Sequence, residues 1–167
     1  SPDSEQAVLG ALLLPGSNAV DRIGQLRPGH FFNEADRMIF AEILNMAAQG
    51  VAVDPVTVAE RLDAAGLDDK TGGLAYLGEL AANTPSAANV GRYAQVVVNK
   101  ALERELVAAS GRIQEIAVGV GSTAEKLAAA QSAVMAITEG AEPKRPQLIR
   151  EVLIRAVATI ERRGNGS

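Results

Sequence analysis

Two stretches of this chain place apolar residues at alternating steps of three and four, with glycines between them. Leu102, Leu106, Ala109, Ile113 and Ile116 follow one another at steps of 4, 3, 4 and 3 within a segment that reads as one long helix from Asn89 to about Val118. Gly119 and Gly121 break it, and Ser122 with Glu125 has capping-box spacing for a second helix carrying Leu127, Ala130, Val134 and Ile137. A repeat near 3.5 residues makes a continuous stripe only on a helix, because a strand turns every second side chain to the same face. Two such seams joined by a short glycine turn describe an antiparallel helical hairpin. Composition agrees: hydrophobic residues make up 47% of the 167, yet aromatics are only 3% and tryptophan is absent. A core made of Ala, Leu, Val and Ile suits close helix packing better than a sandwich. The expected fold class is therefore all-α.

The punctuation elsewhere is helical too. Asp3 and Gln6 have capping-box spacing ahead of Val8, Leu9, Leu12 and Leu13, with Pro15-Gly16 as the stop. Ser17 can cap a short helix carrying Val20, Ile23 and Leu26. Asn33 caps a helix with Glu34 and Asp36 in its first turn and Ile39, Phe40, Ile43, Leu44 and Ala47 on its buried face. Asp54-Pro55 is an N-cap followed by proline at the first helical position. Leu74, Leu77 and Leu80-Ala81 fill the inner face of another short helix. The expected layout is a compact helical head over residues 1–94, the hairpin over 95–140, a linker over 141–147 with Pro143 and Pro146, and a separate C-terminal helix over 148–163. That last helix carries Ile149, Val152, Leu153, Ala156, Val157 and Ile160 as one stripe. It can fold back on its own domain, but the proline linker favours docking on a neighbouring one through Ile149, Val152, Leu153, Ala156 and Ile160.

Several chemistries are excluded. A phosphate-binding loop needs a glycine-rich run before Lys and Ser or Thr. Lys70-Thr71 follows Asp69, and the Gly119 to Thr123 turn has no lysine, so both read as turns. His30 is the only histidine and cysteine is absent, which removes paired-histidine metal sites, thiolate sites, disulfides and the usual catalytic triad. The carboxylate pairs Asp68-Asp69 and Glu103-Glu105 fall on turn or helix-surface positions, and Phe31, Phe32 and Phe40 read as core. No catalytic, cofactor-binding or metal residue is assigned. The net charge of -4 is uneven: residues 142–163 hold six basic and three acidic side chains, a net of +3, leaving ten against seventeen, a net of -7, for the rest. An acidic body is a poor grip for phosphates, so little direct DNA binding is expected. No apolar run is long enough to span a bilayer, and Asp3 and Glu5 oppose the basic start of a signal peptide, so the expected location is cytoplasmic.

The string Gly72-Gly73-Leu74-Ala75-Tyr76-Leu77-Gly78-Glu79-Leu80, continuing through Asn83-Thr84-Pro85-Ser86-Ala87-Ala88-Asn89-Val90 to Tyr93-Ala94, serves none of those chemistries. With Glu5-Gln6-Ala7-Val8-Leu9-Gly10, His30-Phe31-Phe32, Ile39-Phe40 and Val53-Asp54-Pro55-Val56-Thr57-Val58 in order, it resembles the N-terminal domain of the bacterial replicative DNA helicase, the DnaB family. The resemblance covers nearly the whole chain. It implies a helical head and hairpin joined by a linker helix to a RecA-like motor, absent here, that holds the ATP, magnesium and DNA sites. It also implies a collar that dimerises and assembles into a hexameric ring as a trimer of dimers, and that binds the C-terminal domain of primase. On that reading the self-association residues are Leu102, Leu106, Val107, Ala109, Ile113, Ile116, Leu127, Val134 and Ile137. The leading primase candidate is Tyr76, at the edge of its helix face, with a half-buried core residue whose hydroxyl meets water as the alternative; Val107 and Arg112 on the flank of the long helix extend the patch. The alternative is a free-standing helical scaffold or adaptor, from a phage or plasmid, that copies the collar without a motor.

Overall fold

A computed structural model describes residues 2–141, and these are helical with no strand among them. The order is α1 (Pro2–Leu13), two 3₁₀ turns (Ala19–Arg22 and Pro28–His30), α2 (Glu34–Ala48), α3 (Pro55–Ala64), α4 (Asp68–Thr71), α5 (Gly73–Ala82), α6 (Val90–Val118) and α7 (Thr123–Ala141). The expected linker from 142 onward and the helix over 148–163, with Ile149, Val152, Leu153, Ala156, Val157 and Ile160, lie outside the described residues.

α1 is the centre of the head. Val8, Leu9, Ala11, Leu12 and Leu13 are all buried, so the helix is apolar on more than one face and must be wrapped by others. α2, α5 and α6 supply the wrapping with Ile39, Phe40, Ile43 and Met46, with Leu77 and Leu80, and with Val90, Ala94, Val97 and Ala101. Each large side chain buried this way contributes about 1.5–3 kcal/mol. Close approach is bought by Gly10 in the middle of α1. A Cβ there would lie 2.0 Å from Thr84 Oγ1 and 2.4 Å from the Leu80 carbonyl oxygen. Only glycine lets the end of α5 lie against α1 so closely.

Local capping accounts for the starts of α2, α3 and α7. Asn33 Oδ1 accepts from the backbone N–H groups of Ala35 and Asp36 at 2.8 and 3.3 Å. Asp54 Oδ1 accepts from those of Val56 and Thr57, and these bonds with the Thr57 hydroxyl hold its carboxyl below the usual range. Ser122 and Glu125 cap each other reciprocally.

Four expectations fail. α1 begins at Pro2, so Asp3 sits inside its first turn rather than capping it. The segment after Ser17 is only a four-residue 3₁₀ turn, because Asn18 (φ 45°) and Gly24 (φ 62°) are left-handed and stop a helix on both sides. Leu74 is half exposed. Gly73, Tyr76, Leu77 and Leu80 define the inner face of α5, and at 100° per residue Leu74 points roughly 110° away from its middle. Lys70-Thr71, expected to be a turn, lies instead in the one-turn helix α4, closed by the Thr71 hydroxyl on the Leu67 carbonyl at 2.9 Å.

Candidate functional site

The most heavily supported loop is the turn from His30 to Asn33. Glu5 of α1 is buried, and its carboxylate accepts from the N–H of Phe32 at 3.0 Å and of Asn33 at 3.3 Å. Arg37 of α2 donates to the Phe31 carbonyl at 3.2 Å, and Arg104 of α6 donates to the His30 carbonyl at 2.7 Å. His30 itself is buried, and its Nδ1 accepts from the Arg27 N–H at 3.2 Å. Burial first, then the Arg27 and Arg104 charges, push its pKa down, keeping the acceptor imidazole neutral. Side chains from three helices thus satisfy one backbone group on each of four consecutive residues.

That turn splits the aromatic group in two. Phe31 is buried with its ring 4.8 Å from that of Phe40, whereas Phe32 is 72% exposed. Phe31 is extended, so successive side chains point to opposite sides. Phe32 is therefore not core, contrary to the sequence expectation. The Arg104 guanidinium lies over its ring, 5.5 Å from the centroid. Phe32 borders a groove of about 440 Å³ lined also by Glu5, Gln6, Asp36, Lys100, Arg104 and Val107.

Tyr76 does not stand free at a surface. It is half-buried, and its hydroxyl donates to Asp36 Oδ1 at 2.7 Å, tying α5 to α2. Burial raises the Asp36 carboxyl, with the nearby Glu5 adding to it. Burial and then the bond to Asp36 push the Tyr76 phenol up to about 12. Tyr76 borders a smaller groove with Asp3, Gln6, Glu79 and Asn83, so Gln6 separates it from the Phe32 groove and Val107. Arg112 is exposed further along α6 and lines neither groove.

The hairpin closes at its tip, where Lys126 donates to the Ala117 carbonyl at 3.0 Å. Along the expected seam only Ala109 is fully buried. Leu102 packs against the head, and Ile113, Ile116 and Ile137 are half-covered. Leu106 and Leu127 are 58% and 61% exposed, and Val134 and Met135 are exposed with them. Two helices provide one line of mutual contact and no third layer, so small Ala109 takes the centre and the longer side chains spill to the edges. The cost of about 2–5 kcal/mol that full burial would give Leu106→Ala or Ile113→Ala does not apply within one chain. Val107, 72% exposed, faces the Phe32 groove, at 100° per residue roughly 160° from Ala109, and is not a seam residue in the single chain. Sequence reasoning missed Glu5, Phe32 and Arg104 as parts of one surface. Their partners lie 27 and 74 residues away, and only the paired aromatics of an extended turn hinted at an outward Phe32.

Among the described residues, no group of three or more His, Asp and Glu side chains could hold a metal ion, and no helix is long and apolar enough to cross a membrane. A closed helical core, with a groove bordered by Phe32 and an apolar row left open on a hairpin, defines an all-helical module. The chain belongs to the DnaB-like helicase N terminal domain family, whose model matches residues 1–99. It is 42% identical over 110 residues to the replicative DNA helicase DnaB of Mycobacterium leprae and 36% identical over 115 residues to that of Haemophilus influenzae. These matches take in 66% and 69% of this chain but only 18% and 25% of those relatives. The crystal structure of the N-terminal domain of DnaB helicase from Mycobacterium tuberculosis superposes with a TM-score of 0.76 at 38% identity, over 82% of this chain and 96% of that one. A DnaB-like replicative helicase, described with its interactions with primase, matches the fold with a TM-score of 0.66 at 24% identity, over 93% of this chain and 35% of its own.

Proposed function

We propose that this chain is the collar of a replicative DNA helicase, which pairs subunits through the hairpin and offers primase a docking face. The observation that carries the pairing is the row of Leu106, Leu127 and Val134, left exposed while the head core beside it is closed. A monomer gains nothing from such a row, and a second hairpin would bury it. Domains 1–94 and 95–140 then divide the work into head and hairpin, and residues 148–163 dock on a neighbouring motor domain through Ile149, Val152, Leu153, Ala156 and Ile160. ATP and magnesium belong to that motor, the ring is a trimer of dimers, and the setting is the cytoplasm. The primase reading is supported by family membership and by the relative described with primase. Val107 in the Phe32 groove is the leading contact among the three candidates, since the Tyr76 hydroxyl is engaged internally and Arg112 lies apart.

Sedimentation of the chain over a concentration range tests the pairing. Leu127→Asp on the open face is expected to yield monomers with unchanged helical content. A wild type that stays monomeric at high concentration, or a Leu127→Asp chain that associates as before, refutes it. Calorimetric titration with the C-terminal domain of primase tests the second role, with loss of heat expected for Val107→Asp.

A further inference from the structure

The hairpin leaves the head at one place, and a single arginine spans it. The last residue of α6 in the buried head core is Val98, Leu102 packs against that core from its edge, and the buried Ala101 and Ala109 lie outside it. Between them Glu103 and residues 105–108 are exposed, and Leu102 and Arg104 are half-buried. Arg104 donates to the His30 carbonyl and stacks over Phe32, and Glu5 and Arg37 anchor the backbone it grips. Just beyond, α6 carries Ser110-Gly111. The Ser110 hydroxyl bonds back to the Val107 carbonyl at 2.7 Å, and a side chain at Gly111 would meet nothing within 4 Å. Serine back-bonding and Gly/Ser pairs are places where helices bend, and an uncrowded mid-helix glycine has no packing reason to be there.

We propose that Arg104 is a clamp that fixes the angle at which the exposed 103–108 stretch of α6 carries the hairpin away from the head. The clamp has a built-in release. The guanidinium and any ligand settling on the outer side of the groove share the Phe32 ring, so a partner that takes the ring or the His30 carbonyl frees the hairpin to swing. This assignment stands on intramolecular geometry alone and holds whether or not the hairpin pairs or primase docks.

Because the chain has no cysteine, single cysteines at exposed Asp63 and Ala124 can carry spin labels on head and hairpin without background. Labelled chain diluted into unlabelled chain gives the intramolecular distance by pulsed electron resonance even if the protein associates. The parent is expected to show one narrow distance. Arg104→Ala is expected to broaden or split it at unchanged helical content, with the released population rising about tenfold or more, as losing one charge-assisted hydrogen bond does to an equilibrium. Phe32→Ala, which removes only the stacked and exposed ring, is expected to give an intermediate broadening, and it decides the matter should Arg104→Ala fail to fold. A parent distribution already as broad as that of Arg104→Ala, or a folded Arg104→Ala as narrow as the parent, overturns the clamp. So does an unbroadened Phe32→Ala where Arg104→Ala cannot be read.

Discussion

Gly10→Ala puts the packing of α1 on α5 to a direct test. The added methyl would lie 2.0 Å from Thr84 Oγ1, 2.8 Å from Thr84 Cβ and 2.4 Å from the Leu80 carbonyl oxygen, against about 3.5 Å for comfortable contact. The threonine can turn, at the loss of its 3.0 Å hydrogen bond to the Leu80 carbonyl, but the carbonyl is backbone and moves only if the helices separate by about 1 Å. Overpacking of this kind costs about 1–3 kcal/mol, and the lost hydrogen bond adds about 1 kcal/mol. Alanine returns about 1 kcal/mol through its helix propensity. The net expectation is a loss of about 1–3 kcal/mol, a fall in Tm of roughly 2–12 °C for a chain of this size. Thermal and urea melts by circular dichroism at one fixed protein concentration would measure it. Two controls sharpen the result. Thr84→Ala in the Gly10→Ala background relieves the hydroxyl clash but leaves the carbonyl, so recovery is partial. Gly78→Ala in α5, where nothing lies within 4 Å, should stabilise by about 0.5–1 kcal/mol. A Gly10→Ala chain as stable as wild type would refute the close approach.

Other substitutions read the polar network. Glu5→Ala strips acceptors from two backbone N–H groups and should cost about 1–3 kcal/mol in urea melts, with the Phe32 turn losing hydrogen-exchange protection first. Asp36→Asn keeps an acceptor for Tyr76 but removes a buried charge. The wild-type carboxyl is raised above its ordinary 3.8, so its contribution falls as pH rises from below that value through the folded pKa. The variant should therefore gain on wild type across the mildly acidic range and hold the gain at neutral pH, and urea midpoints taken from acid to neutral check this. Absorbance titration should show one tyrosine ionising near 12, a component lost in Tyr76→Phe. Stability owed to that phenol is present below pH 10 and lost as pH rises through about 12.

What could be read in the sequence was what is decided within a few residues. The Asn33 and Asp54 caps, the Ser122–Glu125 box and the glycine break between α6 and α7 involve partners two or three positions away, so residue type and spacing determine them. The buried stripes of α1 and, apart from Met46, of α2 were legible for the same reason, since burying apolar side chains at helical spacing needs only some partner, not a particular one; the stripe that α6 buries, from Val90 to Ala101, was not read, and of the seam expected on that helix only Ala109 is buried. Where spacing left two answers, it misled. Phe31 and Phe32 look alike in the sequence, and only the helices around the turn decide which ring goes inward. Leu106 and Leu127 sit in proper register, yet a hairpin with no third layer leaves them uncovered. The bonds that build the surface, from Glu5 to Phe32, from Asp36 to Tyr76 and from Arg104 to His30, join residues 27, 40 and 74 positions apart. No local preference encodes such pairings. They exist because burial of the apolar stripes brings the helices together and leaves each buried side-chain polar group at least one partner within reach.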